Sequence, residues 1–155
     1  MPSPPCSGGA GAAGKTTMVE SLGAETADAG RVGTIKSIHH DIEIDTPGKD
    51  THRHRTAGAD TVVGLTPSLS FEITPGGKDA AGEIALLEAT VDDLRSAGYE
   101  YILIEGFHDA AYPKLVVGDR SVAPPVVARG PPAAVDIPAL ATAMIDGTLV
   151  DTDDT

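Results

Sequence analysis

The sequence predicts an α/β fold with a mostly parallel central sheet flanked by helices. Three observations predict it. Segments with strand and helix patterns alternate along the chain. A glycine-rich stretch, SGGAGAAGKTT, precedes the first helical pattern. The apolar run YILIE at residues 101–105 ends in an acid, which is typical of a strand buried on both faces of a parallel sheet.

The first half of the chain carries the shorter patterns. Apolar side chains on one face predict a helix at residues 15–22, and residues 31–36 predict a strand that ends in polar residues. Pro47 suits the first turn of a helix, because the N–H that proline lacks would have no partner there, and a short polar helix is expected to follow to residue 59. Residues 61–74 predict two short strands joined at 66–68.

The second half contains the strongest helical pattern. Residues 79–97 carry apolar side chains at spacings of three and four, and Gly98 follows as a stop signal. The remaining expectations are edge strands at 114–118 and 125–129, a last helix at 136–145, and an acidic, frayed tail at 148–155.

The N-terminus lacks the apolar strand that normally precedes a glycine loop of this kind. Prolines stand at positions 2, 4 and 5, and proline removes the N–H donors that a central strand needs. We therefore expect no first strand here. Residues 31–36 and 101–105 remain available as the centre of the sheet, and we expect either that another segment fills the empty slot or that this N-terminus is not the native one.

Composition bounds the function. The 155 residues are expected to form one nucleotide-binding domain over residues 1–147. A net charge of −12 disfavours nucleic acid and anionic membranes, and no segment is apolar enough to span a bilayer. One cysteine and no secretory signal favour the cytoplasm. The chain has fifteen Asp and only five Lys. This Asp-rich, Lys-poor composition resembles that of proteins from salt-loving archaea, in which molar salt screens the repulsion between carboxylates.

The glycine loop satisfies GxxxxGK[ST] from Gly9 to Thr16, the phosphate-binding signature of P-loop NTPases. Glycines let backbone N–H groups turn toward phosphate oxygens, and the helix N-terminus adds a favourable dipole. Lys15 would neutralise the β and γ phosphates, and the Thr16 hydroxyl would ligate Mg²⁺. The alternative is a flexible Gly/Ala linker, which the helix pattern directly behind the loop disfavours.

Carboxylates and bases alternate in the stretch from residue 34 to 59. Such a segment beside a phosphate site would suit a switch, because carboxylates reach Mg²⁺ directly or through water and bases offset phosphate charge. Glu105 ends a strand, where the second acid of such sites lies next to Mg²⁺. The alternatives are a solvated helix face for DTHRHR, favoured for His52 and His54, and a simple strand cap for Glu105.

The most distinctive residues of this stretch are Thr34, Ile35, Lys36, His39, His40, Asp41, Asp45, Pro47, Gly48, Lys49, Asp50, Arg53, Arg55, Ala57, Gly58 and Ala59, and further on Glu105, Gly106, Phe107, Pro113 and Lys114. In this order they resemble the pattern of the MobB family, the GTP-binding partner of molybdenum-cofactor guanylylation. Ser37 stands where the family usually carries another His, and ARGP at residues 128–131 replaces an expected Thr-x-Asp turn. No NKxD-type element is visible, so guanine specificity follows from the resemblance alone.

The resemblance implies a Mg²⁺-dependent GTP-binding protein, weak as a GTPase, that forms a homodimer and assists a MobA-type molybdopterin guanylyltransferase. Two alternatives remain open: a nickel-delivery GTPase of hydrogenase or urease maturation, and a non-hydrolysing nucleotide-binding adaptor. The residues predicted to act in catalysis are Lys15, Asp41 and Asp50. Those predicted to bind nucleotide are Gly9, Gly11, Ala13, Gly14, Lys15, Thr16, Thr17, Lys36 and Lys49. The predicted Mg²⁺ ligands are Thr16, Asp41, Asp45 and Glu105.

Overall fold

A computed structural model describes residues 6–9, 12–118 and 120–152. The elements in chain order are β1 (Cys6–Gly9), α1 (Ala12–Ala27), β2 (Val32–Lys36), α2 (Asp50–Thr56), β3 (Val62–Leu65), β4 (Ser70–Ile73), α3 (Lys78–Ala81), α4 (Glu83–Ser96), β5 (Tyr101–Glu105), β6 (Lys114–Val117), β7 (Val126–Gly130), a 3₁₀ turn (Pro132–Ala134) and α5 (Ile137–Asp146). They divide into two compact units, one of Met1–Ser37 with Glu83–Thr155 and the other of Ile38–Gly82. The expected single domain over residues 1–147 stays a prediction.

The first unit contains a five-stranded sheet in the order β2-β5-β1-β6-β7, in which every neighbouring pair is parallel. The helix α1 connects the parallel strands β1 and β2, as crossovers between parallel strands usually do. The predicted α/β fold with a mostly parallel central sheet is confirmed. β2 lies at one edge rather than in the centre, and β6 is internal rather than an edge strand.

The expectation that no first strand exists is wrong. β1 occupies the middle of the sheet, where Ser7 pairs with Glu105 of β5 and with Leu115 of β6. The physical reason is one of position. The strand begins at residue 6, after the last proline, so none of its own N–H donors is lost. The prolines themselves lie outside the described residues.

Helices cover both faces of this sheet. On one face α1 and α5 pack on alternate strand residues through a buried cluster that includes Met18, Leu22, Leu103 and Met144. On the other face α4 contributes Leu87 and Val91, which pack with Ile102, Ile104, Phe107 and Ala110. The aliphatic run of β5 is therefore buried from both sides, as its sequence predicts.

Glycines determine where the helical stretch before β5 breaks and ends. The predicted helix at 79–97 is divided at Gly82, whose φ of +87° separates α3 from α4. Gly98, at φ +93°, ends the second helix as expected, with its N–H donating to the Arg95 carbonyl at 3.0 Å.

The segment predicted as a tail contacts the edge strand over its described part. The Val126 N–H donates to Oδ1 of Asp151 at 3.0 Å, and the Thr152 N–H donates to the Val126 carbonyl at 2.6 Å. These two bonds satisfy backbone groups at the start of β7. Residues 153–155 lie outside the described residues.

The second unit contains α2, α3 and the antiparallel pair β3–β4, in which Val62 pairs with Ile73 and Leu65 with Ser70. The two predicted strands are confirmed. The helix expected to end at residue 59 is shorter and spans Asp50–Thr56. Within the described part of the chain, no helix combines the length and apolar character needed to cross a membrane.

Candidate functional site

The carboxyl edge of the parallel sheet brings the glycine loop and the acidic strand end together. β1 runs parallel to β5 with Ser7 beside Glu105, so both strands end at the same edge. β2 and β5 lie on one side of β1, and β6 and β7 on the other. Open α/β sheets bind ligands outside the carboxyl ends of their strands, at such a division. The site predicted from sequence is therefore at the expected edge.

The glycine-loop residues lie at the end of β1 and the start of α1. Gly9 is the last residue of β1, and Ala13 and Gly14 belong to the first turn of α1. Lys15 is half-buried and Thr16 and Thr17 are exposed at the same helix end. Gly11 lies outside the described residues. An anion at this helix end would meet backbone N–H groups and a lysine.

Two predicted site residues, Thr16 and Lys36, lie next to a third, Glu105. Oγ1 of Thr16 lies 3.5 Å from Oε1 of Glu105, which is the long limit of a hydrogen bond. Nζ of Lys36 lies 3.8 Å from the same oxygen, and the Glu105 side chain is 12% exposed. One hydroxyl and one carboxylate oxygen thus lie side by side, and both are ligand types that Mg²⁺ prefers. The residues fit a Mg²⁺ ion held by Thr16 and Glu105.

The backbone behind Glu105 is closely packed. The Ser37 N–H donates to the Glu105 carbonyl at 2.9 Å. Gly106 follows with φ +99°, and a Cβ built on it would lie 2.7 Å from Cβ of Ser37. Phe107, buried and at φ +57°, continues this left-handed course. Only glycine fits position 106 without displacement of Ser37.

A buried lysine supports the turn after β5. Lys114 is completely buried, and its Nζ donates to the carbonyls of Ala110 and, at 3.0 Å, Tyr112. These bonds connect the start of β6 to the loop that follows Phe107. Burying an ammonium group is costly unless donors find acceptors, and the loop carbonyls supply them. The Lys114 noted in the sequence therefore has a positioning role for this loop.

His108 belongs to the same turn and was not among the predicted site residues. Burial lowers its pKa below 6.5, and the positive charges of Arg120 and Lys15 lower it further, while Asp109 and Glu83 act in the opposite direction. A possible signal in the sequence was its position three residues after the strand-ending acid.

The other predicted residues belong to the second unit. Asp41 is exposed and lines a depression of ≈ 410 Å³ together with His39, His40 and the segment 76–80. Lys49 precedes α2 and makes no side-chain capping bond, and Asp50 is the exposed first residue of that helix. Their roles at a nucleotide site stay predictions.

Asp45 has a different environment, because its side chain is only 4% exposed. Nη2 of Arg55 donates to Oδ1 of Asp45 at 3.2 Å and to Oε1 of Glu43 at 3.0 Å. Oδ2 of Asp45 and Nε of Arg55 are buried without a hydrogen-bond partner among the described residues. The guanidinium thus compensates the charges of both carboxylates.

Glu43, Asp45 and His52 place possible metal-ligating atoms within 4.8 Å of one another. The hydrogen bonds argue for a different role. The Gly48 N–H donates to Nδ1 of His52 at 3.2 Å, so a neutral ring carries its proton on Nε2. That nitrogen lies 3.9 Å from Oε2 of Glu43 and is a donor rather than a metal ligand. We interpret the group as an ion-pair network that connects α2 to the preceding loop.

A glycine loop after a central parallel strand, a following helix and an acid at the end of the neighbouring strand define the fold of P-loop NTPases. A family model described as MobB, molybdopterin guanine dinucleotide synthesis protein B, matches residues 7–142. The chain belongs to the MobB family, and the resemblance found in the sequence is confirmed.

Similar proteins agree with this assignment. The molybdopterin-guanine dinucleotide biosynthesis adapter protein of Escherichia coli K12 is 30% identical over 105 residues, which are 67% of this chain and 58% of that protein. A probable adapter protein of the same description from Bacillus subtilis 168 is 34% identical over 108 residues, 67% of this chain and 58% of that protein. The matched part therefore spans less than two thirds of these relatives.

Solved structures support the fold. A crystal structure of Bacillus subtilis MobB has a TM-score of 0.61 at 20% identity and covers 95% of this chain and 98% of that one. A crystal structure described as molybdopterin-guanine biosynthesis protein B has a TM-score of 0.62 at 18% identity, with coverage of 93% and 97%.

Proposed function

We propose that this protein binds Mg·GTP at the carboxyl edge of its parallel sheet and assists a MobA-type guanylyltransferase in forming molybdopterin guanine dinucleotide. The observation that carries the proposal is the approach of Thr16 to Glu105 at 3.5 Å, in a chain of the MobB family. Adapter relatives from Escherichia coli and Bacillus subtilis support the pathway. GTP rather than ATP follows from the family resemblance.

The chain's own residues would divide the work in a simple way. Lys15 and the N-terminus of α1 would offset the charge of the β and γ phosphates. Thr16 and Glu105 would hold Mg²⁺, and Lys36 would keep the Glu105 carboxylate from standing uncompensated before the ion arrives. Bound Mg²⁺ would neutralise phosphate charge. Asp41 and Asp50 are proposed to act at the nucleotide site, whereas Asp45 is already paired with Arg55.

Nucleotide binding is the first test, and it should be done in molar KCl because a −12 chain repels itself at low salt. Titration of a fluorescent GTP analogue with and without Mg²⁺ should give saturable, Mg²⁺-dependent binding that GTP displaces better than ATP. In Lys15→Ala the affinity should fall by about a hundredfold or more, because hydrogen bonds to charged groups contribute ~1.5–3 kcal/mol each and 1.4 kcal/mol is tenfold.

Arg95→Ala serves as the control, because it removes one positive charge from the last turn of α4, outside the predicted site. Its GTP affinity should equal that of the wild type. Equal affinity in Lys15→Ala and wild type would refute the proposed site. Glu105→Gln should weaken binding in Mg²⁺ more than in EDTA, and an equal loss under both conditions would assign Glu105 a purely structural role.

A second candidate function is that of an adaptor that binds GTP without hydrolysing it. The relatives are described as adapter proteins, which favours a chain that binds nucleotide and partner without turning the nucleotide over. Release of phosphate, measured at saturating GTP alone and with a molybdopterin guanylyltransferase, separates the two. Partner binding itself is tested by titration of the guanylyltransferase at high salt, and no interaction there would count against either version of the proposal.

A further inference from the structure

His108 is held by its backbone at the carboxyl edge of the sheet. The Ala110 N–H donates to the Phe107 carbonyl at 3.1 Å and closes a turn in which His108 is the second residue. The His108 carbonyl accepts the N–H of Ala123, from the loop after β6, at 3.0 Å. Lys114 fastens the far end of the same turn by donating to the Ala110 carbonyl. These bonds hold the backbone of the turn that carries the ring.

The imidazole of His108 has a buried nitrogen without a hydrogen-bond partner in the described part of the chain. Nδ1 is buried and has no hydrogen-bond partner among the residues that the structure describes. Buried polar atoms are nearly always paired, so an unpaired one calls for a ligand or a water. Lys15 of α1 and Arg120 of the loop after β6 act electrostatically on this ring, and their positive charges favour an anion there.

These groups make an incomplete anion site. Lys15 belongs to the phosphate-binding signature, and its ammonium is the group that reaches β and γ phosphates. The strands β1 and β5 are direct neighbours, so the turn that carries His108 and the helix end that carries Lys15 leave the sheet at the same edge. A phosphate group offers acceptor oxygens to ammonium, guanidinium and protonated imidazole groups alike.

We propose that His108 contacts the β or γ phosphate of the bound nucleotide and takes up one proton as it does so. The proposal rests on the proposed GTP site and adds a residue and a proton to it. Without nucleotide, Lys15 and Arg120 oppose a charged ring; with nucleotide, the phosphate charges favour it. Asp109 and Glu83 also act on the ring and favour its charged form. All four side chains are present in both states, so the phosphate charge supplies the difference.

The consequence is a pH dependence with a defined sign. The free protein keeps His108 neutral at pH 7, because its pKa lies below 6.5. Bound phosphate raises the pKa of the ring, so binding consumes a proton and GTP affinity increases as the pH falls toward and below 6.5. The same lowered pKa means that the nucleotide-free protein loses stability as the pH falls below 6.5.

The test measures GTP affinity between pH 8 and pH 5.5 in wild type, in His108→Asn and in His54→Asn, all at high salt with Mg²⁺. Asparagine keeps a hydrogen-bonding group near the Nδ1 position but does not titrate. The phosphate of GTP itself titrates in this range, and both variants retain that contribution. In wild type and in His54→Asn the plot of log Kd against pH should be steeper than in His108→Asn, by up to about one log unit per pH unit.

Calorimetry in two buffers of different ionisation enthalpy counts the protons directly. Wild type near pH 6 should take up more protons per GTP than His108→Asn does, and the thermal stability of both at pH 8 establishes that the variant is folded. Equal slopes and equal proton counts would overturn the role of His108 while leaving the GTP site intact. Absence of GTP binding in the wild type at every pH would overturn the proposed function together with this inference.

Discussion

Replacing Gly106 by alanine probes how tightly the backbone behind Glu105 is packed. The added Cβ faces two separate obstacles: a φ of +99° and a distance of 2.7 Å from Cβ of Ser37. Ser37 cannot simply move away, because it is buried and its N–H donates to the Glu105 carbonyl at 2.9 Å. Any adjustment therefore displaces the strand end that carries the acid.

The two obstacles have comparable sizes. A left-handed backbone at a non-glycine residue costs ~1–3 kcal/mol. Forcing an extra methyl into a packed site costs another ~1–3 kcal/mol. Together Gly106→Ala should lower the free energy of unfolding by roughly 2–6 kcal/mol, and the melting temperature by roughly 4–24 °C at ~2–4 °C per kcal/mol.

Gly118→Ala is a matched control, because Gly118 has φ +96° but no atom within 4 Å of a built Cβ. It should show the backbone cost alone, ~1–3 kcal/mol. The double variant Gly106→Ala with Ser37→Gly removes the clashing Cβ and should recover the packing part relative to Ser37→Gly alone. Chemical denaturation of the wild type and the four variants measures each step. A Gly106→Ala variant no less stable than Gly118→Ala would refute the packing argument.

Two further substitutions test the buried charges. Arg55→Met should destabilise the chain by about 3 kcal/mol, because it leaves the buried carboxylate of Asp45 without its cation, and adding Asp45→Asn should recover part of that loss; unchanged urea unfolding would contradict the ion-pair interpretation. Lys114→Met should cost roughly 1–3 kcal/mol for each carbonyl left unpaired, at Ala110 and Tyr112. It should also weaken GTP binding, because the turn that carries His108 is displaced. A loss of stability with unchanged GTP affinity would show that this turn does not contribute to GTP binding.

The elements that the sequence predicted best depend on local patterns. The apolar run of β5 and the glycine stop at Gly98 each result from a few consecutive residues, and both are present. The last helix also depends on a local signal. Asp136 caps it by accepting the Ala139 N–H at 3.0 Å, and the helix begins at Ile137, one residue after the expected start. Such signals need no knowledge of distant parts of the chain.

The parts that could not be predicted depend on residues far apart in sequence. The approach of Thr16 to Glu105 joins positions separated by 89 residues, and the position of β2 at the sheet edge depends on strand order. His108 becomes a candidate only when Lys15 and Arg120 are seen to act on the same ring. No spacing in the sequence encodes these neighbours, because they follow from topology rather than from periodicity.

The prolines at the N-terminus misled for a related reason. They predict where a strand cannot be, but the four residues from Cys6 to Gly9 suffice, because β5 and β6 supply a hydrogen-bonding partner on either side. Glu105 is paired with Ser7 on one side and with Lys36 on the other, so two ladders fix the acid. The glycine loop, by contrast, is attached to the sheet through β1 only. A weakened β1 would therefore loosen the phosphate-binding loop but leave Glu105 in place. Substitutions that weaken β1 should change nucleotide affinity more than they change the position of the Glu105 carboxylate.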